Sequence, residues 1–444
     1  MTRVTPARRA ALSVLIEAFR RDARVRDLLG ASGTVRALDA REAAFARRLA
    51  VGTVACAGCL DDALDAYLER PRSGAPEVRA ALRLSAYELL YLGTAPEVAV
   101  SQGVELARGV SRGAAGLANA VLRRVADGRE GFLVAVDAAE DQRAIVSRAR
   151  GAGLPVWLVR EVERSLGLES AEGFLAAQGE PAPIAVRFAR AGSADRYAGF
   201  LAEEPLFPGD PCSRRVVDMP GLVASGVFER DEAVVSDANA QQVALEAANR
   251  GGSLLEVGAG RGTKTYVLAS RNLVRRMASD VVSVDLHEVK CRQNLERLGR
   301  AGLDAGIRVL AGDATDLDAV LAPVDTARGE HALFDTVLLD APCSGTGTLR
   351  RHPEICWRIT PREVRRDLPA LQLALLAAAA GRVAAGGALI YATCSVLDHE
   401  NDSVVQVFLK QDGGRGFELA TRCQTAPAPG AFDGHYHAVL RRRA

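Results

Sequence analysis

The chain has 444 residues, well beyond the ~150 residues of a typical domain, so two or three domains are expected. Hydrophobic residues make up 48% and charged residues 25% of the sequence, a balance that excludes wholesale disorder, collagen and coiled coil. The net charge of +1 hides an asymmetry, because residues 1–130 contain 20 arginines, no lysine and 15 acidic residues. Positive charge is therefore concentrated at the front of the chain.

The cysteine pattern and the first apolar stretch predict a cytoplasmic protein with reduced thiols. The eight cysteines form no regular framework, and residues 10–19 carry Glu17 and lack a cleavage site. The longest aliphatic region, residues 371–392, is interrupted by Arg382, which argues against a membrane span. Cys56 and Cys59 form a lone C-x-x-C and the six histidines show no ligand spacing, so no metal is predicted.

Residues 1–130 are predicted to form a bundle of about five or six helices. Apolar residues recur there at the i, i+3, i+4, i+7 spacing of one helix face, as in Leu12, Leu15, Ile16 and Phe19. Gly and Pro residues break the pattern at 30–33, 71–76, 93–96 and 109–116. The next segment, 131–235, has a Pro-rich and Gly-rich centre and is predicted to be a connector with a small mixed α/β subdomain.

From residue 236 to residue 444 the pattern changes to that of an α/β Rossmann-like domain. Short apolar runs that each end in a polar residue alternate with helix-length segments, as in βα units of a parallel sheet. The five predicted strands are residues 254–257, 281–285, 308–310, 336–340 and 388–392. Strands four and five, which end at Asp340 and Thr393, are expected to be neighbours at the switch point of the sheet, where ligands bind.

A glycine-rich turn follows the first of these strands, from Glu256 to Gly262. Glycine allows a sharp turn and close approach of the backbone to a ligand. The third glycine of a dinucleotide fingerprint is replaced by Thr263. Asp285, which ends the second strand, could accept both ribose hydroxyls, and Asp313 after the third strand could meet an adenine amine. This set suits S-adenosylmethionine better than NAD, although strand-end aspartates also cap helices.

Two segments carry a family resemblance: Leu339-Asp-Ala-Pro-Cys-Ser-Gly-Thr-Gly-Thr-Leu-Arg-Arg-His-Pro-Glu354 and Tyr391-Ala-Thr-Cys-Ser395. Together they resemble the two cysteine motifs of the RNA cytosine-C5 methyltransferases of the Sun/Nop2 group, and the continuation to Trp357 resembles the bacterial 16S ribosomal RNA branch. Residues 1–130 resemble the NusB-type helical RNA-binding domain that is fused in front of that branch. The segment Asp237-Ala-Asn-Ala-Gln241 is also similar to a motif of the family.

The resemblance implies a catalytic site of Cys394, Cys343 and Asp340. C5 of cytosine is too poor a nucleophile to attack a methylsulfonium, but addition of a thiolate at C6 makes C5 enamine-like. Cys394 would attack C6, and Cys343 would assist release after methyl transfer. Asp340 would hydrogen-bond cytosine N3 and the exocyclic amine.

The resemblance also implies the residues that hold the methyl donor and the RNA. Lys264 is one of only three lysines and matches a family lysine that points toward the cofactor, whereas Gly258 and Arg261 replace a Cys and a Pro usual in the family. A basic run after the catalytic loop is placed to hold phosphates that flank the target, although for Arg350 a solvated helix start is an equal alternative. The expected RNA contacts are Arg350, Arg351 and His352. The expected cofactor contacts are Glu256, Gly258, Ala259, Gly260, Arg261, Gly262, Thr263, Lys264, Asp285, Asp313 and Asp340.

These expectations describe a cytoplasmic, monomeric enzyme that uses S-adenosylmethionine to methylate C5 of a cytosine in 16S ribosomal RNA. The RNA could be free or part of an incompletely assembled small subunit. Two alternatives stay open: a tRNA cytosine-C5 methyltransferase, and a non-catalytic RNA-binding assembly or antitermination factor. Both cysteines with Asp340 count against the last alternative, and the altered Gly258–Thr263 loop counts for it.

Overall fold

The computed structural model describes residues 4–70 and 75–444, which fall into two compact units. Unit 1 contains the described residues up to Pro181 and the segment Leu349–Thr360. Unit 2 contains Ala182–Thr348 and Pro361–Ala444. The predicted connector, 131–235, is therefore divided between the two units at residue 181.

Unit 1 is helical, and its core consists of the apolar faces that the sequence pattern marks. Leu12 and Leu15 are buried together with Leu49 and Leu60. Proline at the first helical position starts α1, α6 and α7, where its missing N–H costs no hydrogen bond. The helices are α1 (Pro6–Arg21), α2 (Val25–Ala31), α3 (Gly33–Arg36), α4 (Ala40–Ala55), α5 (Ala57–Asp65), α6 (Pro76–Leu90), α7 (Pro96–Val110), α8 (Ala114–Asp127), α9 (Arg129–Leu133), α10 (Glu140–Ala152), α11 (Val156–Leu166) and α12 (Leu168–Ala177).

The predicted number of helices in residues 1–130 is too low. Eight helices, α1 to α8, lie within the described residues up to Asp127, and α9 begins at Arg129. The additional boundaries fall at 22–24, at 37–39 and at Cys56, which separates α4 from α5 without a glycine or proline. The predicted break at 71–76 falls in part on residues 71–74, outside the described residues.

In the described ranges no single helix is long and apolar enough to cross a membrane. One bent pair, Ala40–Ala55 with Ala57–Asp65, meets the criteria of length and composition when the two helices are taken together.

Unit 2 begins with a small antiparallel sheet. Its strand order is β2-β3-β1-β4. A buried Arg187 on β1 donates to Asp210 and to Ser213 and ties the sheet together. The elements are β1 (Ala185–Phe188), β2 (Leu201–Phe207), β3 (Asp210–Val216), α13 (Met219–Ala224) and β4 (Ala233–Val235).

A seven-stranded sheet of order β10-β11-β9-β8-β5-β6-β7 forms the rest of unit 2. The five strands from β9 to β7 are parallel, and β10 and β11 join them antiparallel. All four residues of β5 are buried, as expected for a parallel strand covered on both faces. The strands are β5 (Leu254–Val257), β6 (Val281–Asp285), β7 (Ile307–Ala311), β8 (Phe334–Asp340), β9 (Val383–Thr393), β10 (Phe417–Gln424) and β11 (Tyr436–Arg442).

The Rossmann-like prediction is confirmed, with one correction to its topology. Strands β8 and β9 are neighbours, as predicted from the residues that end them. The strand order, however, reverses between β5 and β8, so the switch point lies one strand away from the β8–β9 pair. The helices of this part are α14 (Ala238–Ala248), α15 (Thr263–Val274), α16 (Glu288–Ala301), α17 (Leu317–Arg328), α18 (Leu368–Ala380) and α19 (Asp402–Lys410).

Candidate active site

Two cysteines meet beyond the carboxyl ends of β8 and β9. Cys343 follows β8 by three residues, Cys394 follows β9 directly, and their sulfurs are 3.3 Å apart with both thiols free. Adjacent parallel strands bring their loops to the same edge of the sheet, and this places the two sulfurs side by side. The hydrogen bond with Cys394, together with burial, raises the pKa of the Cys343 thiol well above its ordinary value. Cys343 therefore keeps its proton and can donate it to the sulfur of Cys394.

An ion pair stands beside the two thiols. Lys264 in the first turn of α15 places its Nζ 2.6 Å from Oδ2 of Asp340, the last residue of β8. Burial opposes the charge on Lys264, but attraction to Asp340 and the hydrogen bond between them outweigh it and raise the lysine pKa. The negative charges of Cys394 and Glu256 act in the same direction. Lys264 is therefore a fixed cation next to the nucleophile and the carboxylate that the sequence singles out.

A buried carboxylate that sequence reasoning missed holds both cysteine loops. Glu400 accepts hydrogen bonds from the Ser344 amide at 2.7 Å and the Ser344 hydroxyl at 2.5 Å. It also accepts one from the Ser395 hydroxyl at 2.6 Å. Because Ser344 follows Cys343 and Ser395 follows Cys394, Glu400 fixes both thiols through their neighbours. The available signal was the serine that directly follows each cysteine.

The loop before β11 closes the site from another side. The Gly347 amide donates to the Cys394 carbonyl, and the Gly434 amide donates to the Gly347 carbonyl, both at 2.9 Å. A Cβ on Gly347 would lie 2.1 Å from the Gly434 carbonyl oxygen, so the close approach requires glycine. Tyr436 pairs with Thr393, which places His435 opposite Cys394 at the strand ends. From the sequence, His435 was considered only as an improbable metal ligand, and its position opposite Cys394 was not predicted.

The glycine-rich turn has the conformation that its sequence predicts. Gly258, Gly260 and Gly262 all have positive φ. A Cβ on Gly258 would lie 2.2 Å from the Asp340 carbonyl oxygen, whereas Gly260 faces open space. The replacement of the family's usual cysteine by Gly258 therefore accompanies a close contact between this turn and β8.

The two strand-end aspartates, Asp285 at the end of β6 and Asp313 after β7, accept hydrogen bonds from nearby backbone amides. Asp285 is 9% exposed and accepts from the Gly260 amide at 2.8 Å and the His287 amide at 3.0 Å. Its carboxylate and the open face of Gly260 form a cradle that fits a ribose. Leu286 is 62% exposed and offers an apolar surface at the same strand end, which the sequence reasoning missed. Asp313 is exposed, and bonds from the Thr315 amide and hydroxyl lower its pKa.

Glu256, another predicted cofactor residue, is fully buried. Its Oε2 accepts from the hydroxyls of Thr265 at 2.6 Å and Ser283 at 2.7 Å, and burial raises its pKa. Glu256 thus fixes the start of α15, the helix that carries Lys264. Among the remaining predicted contacts, Ala259 is buried, Thr263 is half-buried and Arg261 is exposed.

The residues predicted to contact RNA belong to unit 1. Arg350 is only 5% exposed, and its carbonyl accepts from Nη2 of Arg26 at 2.8 Å. Arg351 and His352 are half-buried. Trp357 donates its indole N–H to the Ala55 carbonyl at 2.7 Å, which places it in the helical packing of unit 1. Across the part of the chain that the structure describes, no group of three or more His, Cys, Asp or Glu could hold a metal ion.

Comparisons with known proteins agree with this architecture. The family described as 16S rRNA methyltransferase RsmB/F matches residues 242–426, and the NusB family matches residues 5–127. The chain is 31% identical to ribosomal RNA small subunit methyltransferase B of Thermus thermophilus, over 90% of this chain and 89% of that protein. It is 30% identical to the protein of the same name from Escherichia coli, over 91% of each chain.

Solved structures share the fold. The crystal structure of PH0851 superposes with a TM-score of 0.76 at 17% identity and covers 99% of this chain and 100% of its own. The structure of NSun6 from Pyrococcus horikoshii has a TM-score of 0.54 at 15% identity, over 65% of this chain and 98% of its own.

Proposed function

Since the chain belongs to the RsmB/F family of 16S rRNA methyltransferases and uses S-adenosylmethionine, we propose that it methylates C5 of a cytosine through a covalent adduct with Cys394. The observation that carries the proposal is the pair of free sulfurs 3.3 Å apart beside the Lys264–Asp340 ion pair. A methyltransferase that modifies an amine or a hydroxyl has no chemical need for two adjacent thiols. Cytosine C5 requires a nucleophile at C6 and a means of removing it afterwards.

The first step joins the Cys394 sulfur to C6, and the C5–C6 π electrons move toward N3. One oxygen of Asp340 accepts from the exocyclic amine, and the Lys264–Asp340 pair supplies the proton that N3 takes up as charge develops. Because Cys343 keeps its proton, Cys394 is the cysteine of the pair that acts as the nucleophile. The base must leave its stack to reach this site, which costs only a few kcal/mol in a loop or an opened helix.

S-adenosylmethionine, when bound, supplies an electrophilic methyl group on its sulfonium. Asp285, Gly260 and Leu286 would hold the nucleoside part, and Lys264, which follows the glycine-rich turn, pairs with Asp340. After C5 has taken the methyl group, solvent water takes the C5 proton, the C5–H bonding electrons restore the C5–C6 double bond, the Cys394 sulfur leaves C6 with the electron pair of the C–S bond, and N3 returns its proton to the Lys264–Asp340 pair. Cys343 is placed to assist this elimination, since its S–H lies 3.3 Å from the sulfur of Cys394 and can donate a proton to it as it leaves.

The test compares Cys394→Ala, Cys343→Ala and the control Cys423→Ala on one small-subunit RNA that carries the target loop. Cys394→Ala should neither methylate nor form an adduct. Cys343→Ala should attack and then stall as a protein–RNA band that resists denaturant. Cys423→Ala should behave like the parent, because Cys423 lies on β10 and is outside the site. The opposite pattern of adducts would reverse the two roles, and normal methylation by both active-site variants would exclude covalent catalysis.

A further inference from the structure

Unit 1 contains a cavity of about 920 Å³ that the mechanism does not use. Its wall includes five arginines from three helices and from the inserted segment, and we call it the arginine cavity. The carboxylates in the same wall are Glu172 and Glu180. The five arginines are Arg26 on α2, Arg47 and Arg48 on α4, Arg148 on α10, and Arg350.

Positive charges outnumber negative charges in the wall of the arginine cavity. Five guanidinium groups face two carboxylates, so the cavity has a formal charge of +3. Arg148 has an ion-pair partner, because its Nε lies 2.8 Å from Glu163. Arg47 and Arg48 are exposed, and within residues 4–70 and 75–444 no carboxylate lies at ion-pair distance from either. A concave wall with an excess of positive charge concentrates the field and attracts an anion.

The size and the aromatic lining of the cavity indicate what kind of anion it takes. A volume of about 920 Å³ is near the upper end of ordinary ligand sites and far exceeds the room that one phosphate needs. Tyr87 and Tyr91 also line the cavity, and their rings are stacked with centroids 5.8 Å apart. Arginines for phosphates and aromatic rings beside them are the elements that recognise single-stranded RNA.

We propose that the arginine cavity binds a short single-stranded segment of the substrate RNA, with Arg47 and Arg48 on its phosphates. The inference rests on the RNA substrate of the proposed function and assigns a second contact region to it. It also revises the sequence-based expectation, since the exposed pair on α4 takes the phosphate-binding role that was expected of the largely buried Arg350.

The experiment measures the affinity of the full chain for a small-subunit RNA fragment at several salt concentrations. The variant is Arg47→Ala with Arg48→Ala. The control is Arg123→Ala with Arg124→Ala, another adjacent pair of exposed arginines in unit 1, which lies outside the cavity on α8. Each lost single-strand phosphate contact reduces the slope of log K against log salt by about 0.7, so the variant should lose about 1.4 and bind on the order of tenfold more weakly.

The possible results distinguish this inference from the proposed function. An unchanged slope in the Arg47/Arg48 variant, or an equal loss in the Arg123/Arg124 control, overturns the cavity as an RNA site. A loss confined to the Arg47/Arg48 variant supports it, provided that affinity for S-adenosylmethionine shows the variant to be folded. A chain that makes no 5-methylcytosine but still shows this selective loss would refute the proposed chemistry and leave the cavity assignment standing. A weaker interaction with an acidic protein, while RNA affinity is unchanged, would also overturn the assignment.

Discussion

Acidification should destabilise this protein through one buried histidine. His435 has a side chain that is 8% exposed, and its Nδ1 lies 3.9 Å from Oδ1 of Asp237. Burial, and after it the positive charge of Lys264, lower the pKa of His435 to about 4, although Asp340 and Asp433 act in the opposite direction. An unfolded histidine titrates near 6.5. Between these values the unfolded chain binds a proton that the folded chain does not.

The sign and the size of the effect follow from that difference. Above pH 6.5 His435 is neutral in both states and contributes no pH dependence. As the pH falls from 6.5 to 4, the free energy of unfolding decreases by about 1.4 kcal/mol per pH unit, or about 3 kcal/mol in total. Below pH 4 both states are protonated and this contribution stops changing.

Urea unfolding at pH 7 and pH 4.5 measures this effect in the parent, in His435→Gln and in the exposed control His331→Gln. The glutamine variant should lose about 2–3 kcal/mol less stability on acidification than the parent, because it has no proton to bind. His331→Gln should follow the parent. Since each variant is compared with itself at two pH values, a direct effect of the substitution on stability cancels. Equal acid sensitivity of His435→Gln and the parent would refute the reasoning.

Two further predictions concern the cofactor cradle and the loop anchor. Asp285→Ala should weaken the binding of S-adenosylmethionine, measured by calorimetry, by about 1–3 kcal/mol, because a charge-assisted acceptor is lost. The exposed control Asp304→Ala should not weaken binding. An unchanged affinity of Asp285→Ala would contradict the ribose contact. Glu400→Ala should lower the free energy of unfolding by about 2–4 kcal/mol, because four buried donors, on Ser344, Ser395 and Gln372, lose an acceptor, and the exposed Glu418→Ala should change it little. A loss below about 1 kcal/mol for Glu400→Ala would mean that the two cysteine loops do not depend on it.

Strands β5 and β6 were predictable because their burial is uniform. Residues 254–257 and 281–285 are mostly apolar, with Glu256 and Ser283 as the polar residues inside them, and the structure buries every residue of both strands. A parallel strand covered by helices on both faces needs such a run and ends where polar residues resume. The helices of unit 1 were less predictable, since a boundary such as Cys56 depends on how α4 and α5 pack and has no local breaker.

The site was predictable to the extent that it lies on consecutive residues. Cys343 and Cys394 stand in motifs, and the strands that precede them are neighbours, so their proximity follows from topology. Glu400 and His435 come from a turn and a strand end that carry no motif for this role. Their positions depend on long-range hydrogen bonds, such as those from Ser344 to Glu400 and from Gly434 to Gly347, which no local pattern encodes.

The surroundings of the two thiols differ in charge, and this difference gives similar residues different chemistry. Glu400 lies near Cys343 and its negative charge contributes to the raised pKa of that thiol. Lys264 lies near Cys394, and the charge of that cysteine contributes to the raised lysine pKa, so a cation stands next to Cys394 and a carboxylate next to Cys343. A thiolate between a cation and an S–H donor is a nucleophile, and a thiol beside a carboxylate is an acid. Exchange of the two roles would therefore require the cation and the carboxylate to exchange places.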